Sequence, residues 1–175
     1  MSAESLITPL SPAKSLTGWI VIIDASAYTD EINSKIPNSF HPVGGKLSVG
    51  KIAKTLRELG CASVTCLVPV GFQREYEELL SGHTIEHSSE FIGDLIPEAI
   101  TKRQVMIVRG DMPLITKDTI LKLAGQHQLM QSAVTLLTMF HQSRGSGIEV
   151  SRRNGVIHSI IHPNNSVGSR GLKEV

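Results

Sequence analysis

An aspartate that closes an apolar run is a carboxylate presented at a strand end. Two such residues occur here. Asp24 follows Trp19-Ile20-Val21-Ile22-Ile23, and Asp111 stands just beyond Val105-Met106-Ile107-Val108, within Arg109-Gly110-Asp111. In an open parallel sheet, ligands bind beyond the carboxyl ends of the strands. The segments that matter are therefore Asp24 onward, Pro69-Val70-Gly71 and Arg109-Gly110-Asp111. A carboxylate so placed can hold Mg2+, which takes one or two protein carboxylates beside phosphate oxygens. Asp111 could equally cap or shape the turn before Pro113, and position alone does not decide between these roles.

Other reactive patterns are weaker. Cys61, Cys66, His83 and His87 mimic a two-cysteine, two-histidine zinc spacing, but the interval between the pairs exceeds the usual ~12 residues and no basic recognition helix follows. Cys66 lies inside Val64-Thr65-Cys66-Leu67-Val68 and reads as core filling. Gly44-Gly45-Lys46 has the end of a P-loop, yet Leu47 replaces the metal-binding Ser/Thr and Phe40 stands where the first Gly belongs. His158 and His162 fall four apart in an expected strand, too far from each other to share a ligand. Arg109-Gly110-Asp111 at a strand end is not read as an adhesion signal.

The elements that must position these groups follow from periodicity. Continuous β-branched runs such as 19–23 suit strands covered on both faces. Residues 25–46 form a long connection, of the kind that is usually functional or disordered. Val49, Ile52, Ala53, Leu56 and Leu59 share one face of a helix over 48–59, which Gly60 stops. A strand follows over 63–69, a helix over 72–80, a short strand over 84–87 and a helix over 89–101. A strand over 105–108 precedes a helix that Thr116 caps and that runs to about His127. Ala133–Phe140 is expected to be a strand. Gly147–Ser151 and Val156–Ile161 flank the tight-turn pair Asn154-Gly155. This order specifies an α/β fold: a three-layer, mostly parallel, Rossmann-like sheet with antiparallel strands towards the C-terminus.

Residues 1–17 read as a flexible tail and 18–175 as a single domain. The 17 Lys and Arg against 16 Asp and Glu give no electrostatic reason to expect nucleic acid or an anionic membrane as partner. No apolar run approaches the ~20 residues of a membrane span. The start lacks the basic and apolar regions of a secretory signal, and the two cysteines suit reduced thiols, so a cytoplasmic location is expected.

The segment Arg109-Gly110-Asp111-Met112-Pro113-Leu114-Ile115 resembles the Gly-Asp-x-Pro-Leu-Ile segment of the N-acetylglucosamine-1-phosphate uridylyltransferases, within the sugar nucleotidyltransferase superfamily. His41-Pro42-Val43-Gly44-Gly45-Lys46 is similar to the stretch after that family's signature loop. Gly145-Ser146-Gly147-Ile148 and Asn154-Gly155-Val156-Ile157 resemble its Gly-x-Gly-Arg-Ile and Asn-Gly-x-Val stretches. The similarity runs over roughly residues 19–165. It implies the nucleotidyltransferase type of sheet, Mg2+ on Asp111, and nucleotide or sugar-phosphate contacts at Asp24, Ala25, Gly110, Asp111 and Gly147.

The departures are as specific. The family's phosphate loop, Leu-Ala-Ala-Gly-x-Gly-Thr-Arg-Met and then Pro-Lys, reads Asp24-Ala25-Ser26-Ala27-Tyr28-Thr29-Asp30-Glu31-Ile32 and then Pro37-Asn38. The loop glycines fall on Ala27 and Thr29, the Arg on Glu31 and the Lys on Asn38. The base- and sugar-reading stretch falls on His87–Ile96 without its glutamines, and a later glutamate falls on His162. The chain ends at Val175, ahead of the family's second Mg2+ ligand. The resemblance with these losses implies a uridylyltransferase-related domain without efficient nucleotidyl transfer and with no assigned catalytic residue. The alternatives are an active transferase with an altered substrate, and a structural domain that binds a protein partner or a second copy of itself.

Overall fold

The computed structural model describes residues 12–26, 34–81, 84–87, 103–138, 140–141, 149–153, 156–161 and 173–174. The chain divides into two compact units, Met1–Ser132 and Ala133–Val175.

In the first unit, β1 (Ile20–Asp24) is followed by a 3-10 turn, Asn38–Phe40. The hairpin β2 (Pro42–Val43) and β3 (Lys46–Leu47) comes next, and then α1 (Ser48–Glu58), β4 (Ser63–Val68) and α2 (Gln73–Leu79). The short strand β5 (Thr84–His87), β6 (Val105–Arg109) and α3 (Lys117–Met130) complete it. The four longer strands form one parallel sheet in the order β5-β4-β1-β6. The strands expected near 19–24, 63–69 and 105–108 are thus neighbours, with β1 in the centre. Its first four residues are all buried, as a continuous β-branched run requires.

The register explains how the sheet meets its helices. Val21 pairs with Val64 and Met106, and Ile23 with Cys66 and Val108, so these side chains share one face. They join one core cluster with Val49, Ile52, Ala53 and Leu56 of α1, Tyr76 of α2, and Ile120 and Ala124 of α3. All three described helices therefore cover this face. On the other face Ile22 and Leu67 are buried while Ile107 is half-exposed. The helix expected over 89–101 lies outside the described residues.

Several boundaries differ from the sequence reading. Leu16, placed in the tail, is fully buried, and its N–H donates to the Leu59 carbonyl; Ala13 N–H likewise donates to Leu121 O. The packed unit therefore begins ahead of residue 18, because an apolar side chain closes the end of α1. The connection over 25–46 contains a hairpin whose two-residue turn, Gly44-Gly45, has φ of 61° and 74°. A tight hairpin turn of this kind needs positive φ at both central residues, which glycine supplies without strain. The helix α3 runs to Met130, one turn beyond His127, and ends with Gln131 in the left-handed region.

In the second unit the sheet order is β7-β10-β8-β9, from β7 (Phe140–His141), β8 (Glu149–Arg153), β9 (Val156–Ile161) and β10 (Lys173–Glu174). All its pairings are antiparallel, as expected for the C-terminal part. The strand expected over 133–140 is a correction: residues 133–138 carry no strand, and among the described residues it is Phe140–His141 that joins the sheet. Apolar content there exceeds pairing, with Val134 and Leu137 exposed. The Asn154-Gly155 turn lies outside the described residues, although β8 and β9 pair on either side of it.

Candidate functional site

The carboxyl ends of β1 and β6 adjoin, with Asp24 opposite Arg109 in the register. Backbone and small side chains lock this edge. Gly110 N–H donates to the Asp24 carbonyl at 2.7 Å, and Ser48 Oγ donates to the Gly110 carbonyl at 2.7 Å. The Ala25 carbonyl lies 3.1 Å from Ser39 Oγ and 3.2 Å from Tyr76 Oη and accepts from one of them, the other hydroxyl donating within the pair. Ser39 and Tyr76 are themselves 2.5 Å apart through their hydroxyls. Ser39, Ser48 and Tyr76 are buried, and these bonds satisfy their hydroxyls in the core. Phe40 packs on Tyr76 with ring centroids 4.5 Å apart.

Two carboxylates and one guanidinium stand on this frame. Asp24 Oδ1 accepts from Ser26 N–H at 3.1 Å and Ser26 Oγ at 2.6 Å, so it shapes the start of the following loop. Asp111 is gripped side-on by Arg109, with Nε to Oδ1 at 3.0 Å and Nη2 to Oδ2 at 2.7 Å. Asn38 Nδ2 approaches Oδ2 at 3.5 Å, the long limit of a hydrogen bond. The Arg109 hydrogen bonds hold the Asp111 carboxyl below its ordinary pKa, against partial burial that pushes it up. The same pair raises Arg109, with a smaller contribution from Asp24.

Asp24, Ala25, Gly110 and Asp111 thus converge at one edge, where the strand-end argument puts them. Gly147 lies outside the described residues, as do Ala27, Thr29 and Glu31. Asn38, at the position of the family's lysine, does reach this edge. Ser39, Ser48 and Tyr76 are contributors that sequence reasoning missed, and Arg109, though inside a segment it singled out, was given no role. Arg109 carried a usable signal: residues two apart at a strand end point the same way, so its fork was within reach of Asp111. The serines and Tyr76 come from other elements, and no local pattern marks them.

Both Asp111 oxygens accept from Arg109, so a divalent ion there would have to share them with the guanidinium or displace it. Among the described residues no group of three or more His, Cys, Asp or Glu could hold a metal ion. Cys66 is fully buried, and burial pushes its thiol up to about 12; it is core filling. Cys61 Sγ donates to Leu56 O at 3.2 Å. No helix among the described residues is long and apolar enough to cross a membrane.

A cavity of about 650 Å³ lies elsewhere, between β3, α1 and Leu79, lined by Lys46, Lys51, Lys54 and Glu58 among others. Its lining does not include Asp24 or Asp111; of its lysines, Lys51 Nζ donates to Val43 O and Lys54 lies 3.9 Å from Glu58.

No protein-family model matches the chain. It is 25% identical over 169 residues to the bifunctional protein GlmU of Bacillus mycoides, covering 91% of this chain and 37% of that protein. It is 27% identical over 166 residues to the bifunctional protein GlmU of Caldanaerobacter subterraneus subsp. tengcongensis, covering 89% of this chain and 36% of the relative. The chain therefore spans little more than a third of the length of these relatives. A solved CMP:2-keto-3-deoxy-manno-octonic acid synthetase, complexed with CTP, matches with a TM-score of 0.58 and 16% identity, over 92% of this chain and 72% of that one. At that identity the likeness speaks to the fold. These matches agree with the resemblance read from the sequence.

Proposed function

We propose that this chain, a relative of the N-acetylglucosamine-1-phosphate uridylyltransferases with a nucleotidyltransferase-type fold, binds a nucleotide or sugar phosphate weakly at the Asp24–Asp111 edge and does not transfer nucleotidyl groups efficiently. The observation that carries this reading is the charge balance of the edge. Among the described residues at this edge, the carboxylates Asp24 and Asp111 are accompanied by the cation Arg109, which is bonded to Asp111. Asn38 brings a neutral amide where the resemblance calls for a lysine.

Nucleotidyl transfer releases pyrophosphate, and its transition state is stabilised chiefly by preorganised cations and backbone N–H groups. In sequence, Ala27 and Thr29 replace the glycines that let a backbone approach phosphate closely, and Glu31 replaces an arginine. Each change removes attraction for an anion or adds repulsion. The combined cost is orders of magnitude in rate.

The test is a pyrophosphate-release assay with UTP, Mg2+ and N-acetylglucosamine-1-phosphate, run beside a thermal-shift screen of nucleotides and sugar phosphates. The expected outcome is little or no UDP-N-acetylglucosamine, with a saturable rise in melting temperature for at least one phosphate ligand. Turnover in the ordinary enzyme range of about 1–1000 per second would overturn the inactive reading. A second reading, a protein-binding domain, is favoured by Val70 and Leu114, which are 75% and 78% exposed on the loops that leave β4 and β6. Absence of every ligand shift, with concentration-dependent self-association, would select it.

A further inference from the structure

We propose that Arg109 is the resident cation of this edge: its guanidinium holds, on Asp111, the place a divalent ion would need, and it thereby keeps divalent-metal affinity low. The inference rests on the reading that the Asp24–Asp111 edge is the ligand site.

Three observations carry it. First, the contact is a two-pronged fork, 3.0 Å to Oδ1 and 2.7 Å to Oδ2, so both oxygens through which Asp111 could coordinate a metal face an N–H donor. Second, the strand builds the contact. Arg109 and Asp111 are two apart at the end of β6, and Gly110 between them is fixed by its bonds to Asp24 and Ser48. Third, the register sets Arg109 opposite Asp24, whose negative charge adds to that of Asp111 in favouring the guanidinium. Arginine stays charged at any working pH, so a divalent ion must displace it and then tolerate it nearby. Lysine in its place would carry the charge but not the fork.

The experiment uses Mn2+ alone as probe, with no nucleotide, titrated into the full chain and followed by the electron-paramagnetic-resonance signal of the free ion. Circular dichroism confirms folding of each variant. Arg109→Gln is expected to bind Mn2+ at least roughly ten-fold more tightly than the parent, since it removes a unit charge a few ångströms from the ion. Arg109→Lys should fall between the two, and the double variant Arg109→Gln/Asp111→Asn should lose the gain. Affinity of Arg109→Gln within about two-fold of the parent would overturn the proposal. So would a gain that persists in the double variant, because the ion would then sit elsewhere. Failure of the nucleotide reading shows separately, in the ligand thermal shifts, which involve no Mn2+.

Discussion

A Cβ added at Gly110 would lie 3.0 Å from both Cα and Cβ of Ala25 and 3.1 Å from Ser39 Cβ. Two of these neighbours cannot swing aside: one is backbone, and Ser39 is held by Ala25 and Tyr76. Gly110→Ala should therefore destabilise by about 1–3 kcal/mol through overpacking, lowering the melting temperature by roughly 2–10 °C. An unchanged melting temperature would mean that β1 and β6 can part without cost. Asp111 yields a pH prediction of defined sign. Its folded pKa is depressed, by Arg109 first, so its contribution is complete above the unfolded value of about 3.9 and fades as pH falls through the folded one. The parent should exceed Asp111→Asn in stability at pH 7, and the gap should close in acid. With Arg109 54% exposed, that gap should be no more than about 1 kcal/mol. Denaturant melts at pH 7 and pH 3 decide the matter, and a gap that widens in acid would contradict the assigned ion pair.

Elements with a strong internal period were legible in the sequence, and those that depend on distant partners were not. The apolar face 49-52-53-56 gave α1 to within a residue, because burial against β1 and β4 follows the helical repeat. The start of α3 was legible because Thr116 acts locally: its Oγ1 accepts the Thr119 N–H at 3.1 Å. Thr116→Ala should cost about 1 kcal/mol, read as a shifted urea midpoint with unchanged slope; no shift would mean that the helix end is held by packing alone. The Gly44-Gly45 turn was visible as two glycines, but its hairpin is only two residues a side, too short for an alternating pattern. The reverse failure is the strand expected over 133–140, where residues 133–138 carry no strand and Phe140 begins a short one. At the site, strand ends brought Asp24, Ala25, Gly110 and Asp111 together from sequence alone. The buried bonds of Ser39, Ser48 and Tyr76 come from separate elements, and no spacing rule reveals them.

At the level of the chain, the question is which part folds on its own. Among the described residues the buried members of the core cluster lie between Leu16 and Ala124. The described strands of the parallel sheet lie between Ile20 and Arg109, and α3 ends at Met130. The candidate edge also belongs entirely to Met1–Ser132. The unit Ala133–Val175 is near the ~40-residue size below which a chain seldom buries enough surface to stand alone. Its described strands include two of only two residues. A fragment ending at Ser132 should therefore unfold in one cooperative transition, with circular dichroism and Trp19 fluorescence coinciding. Trp19 is a suitable reporter because it is 3% exposed and meets His127 edge-on at 5.6 Å between ring centroids, so it senses the contact between the start of β1 and α3. The isolated segment 133–175 should show no cooperative transition. A non-cooperative melt of the 1–132 fragment would place part of the stabilising core in the C-terminal unit, and the candidate edge would then depend on residues outside its own unit.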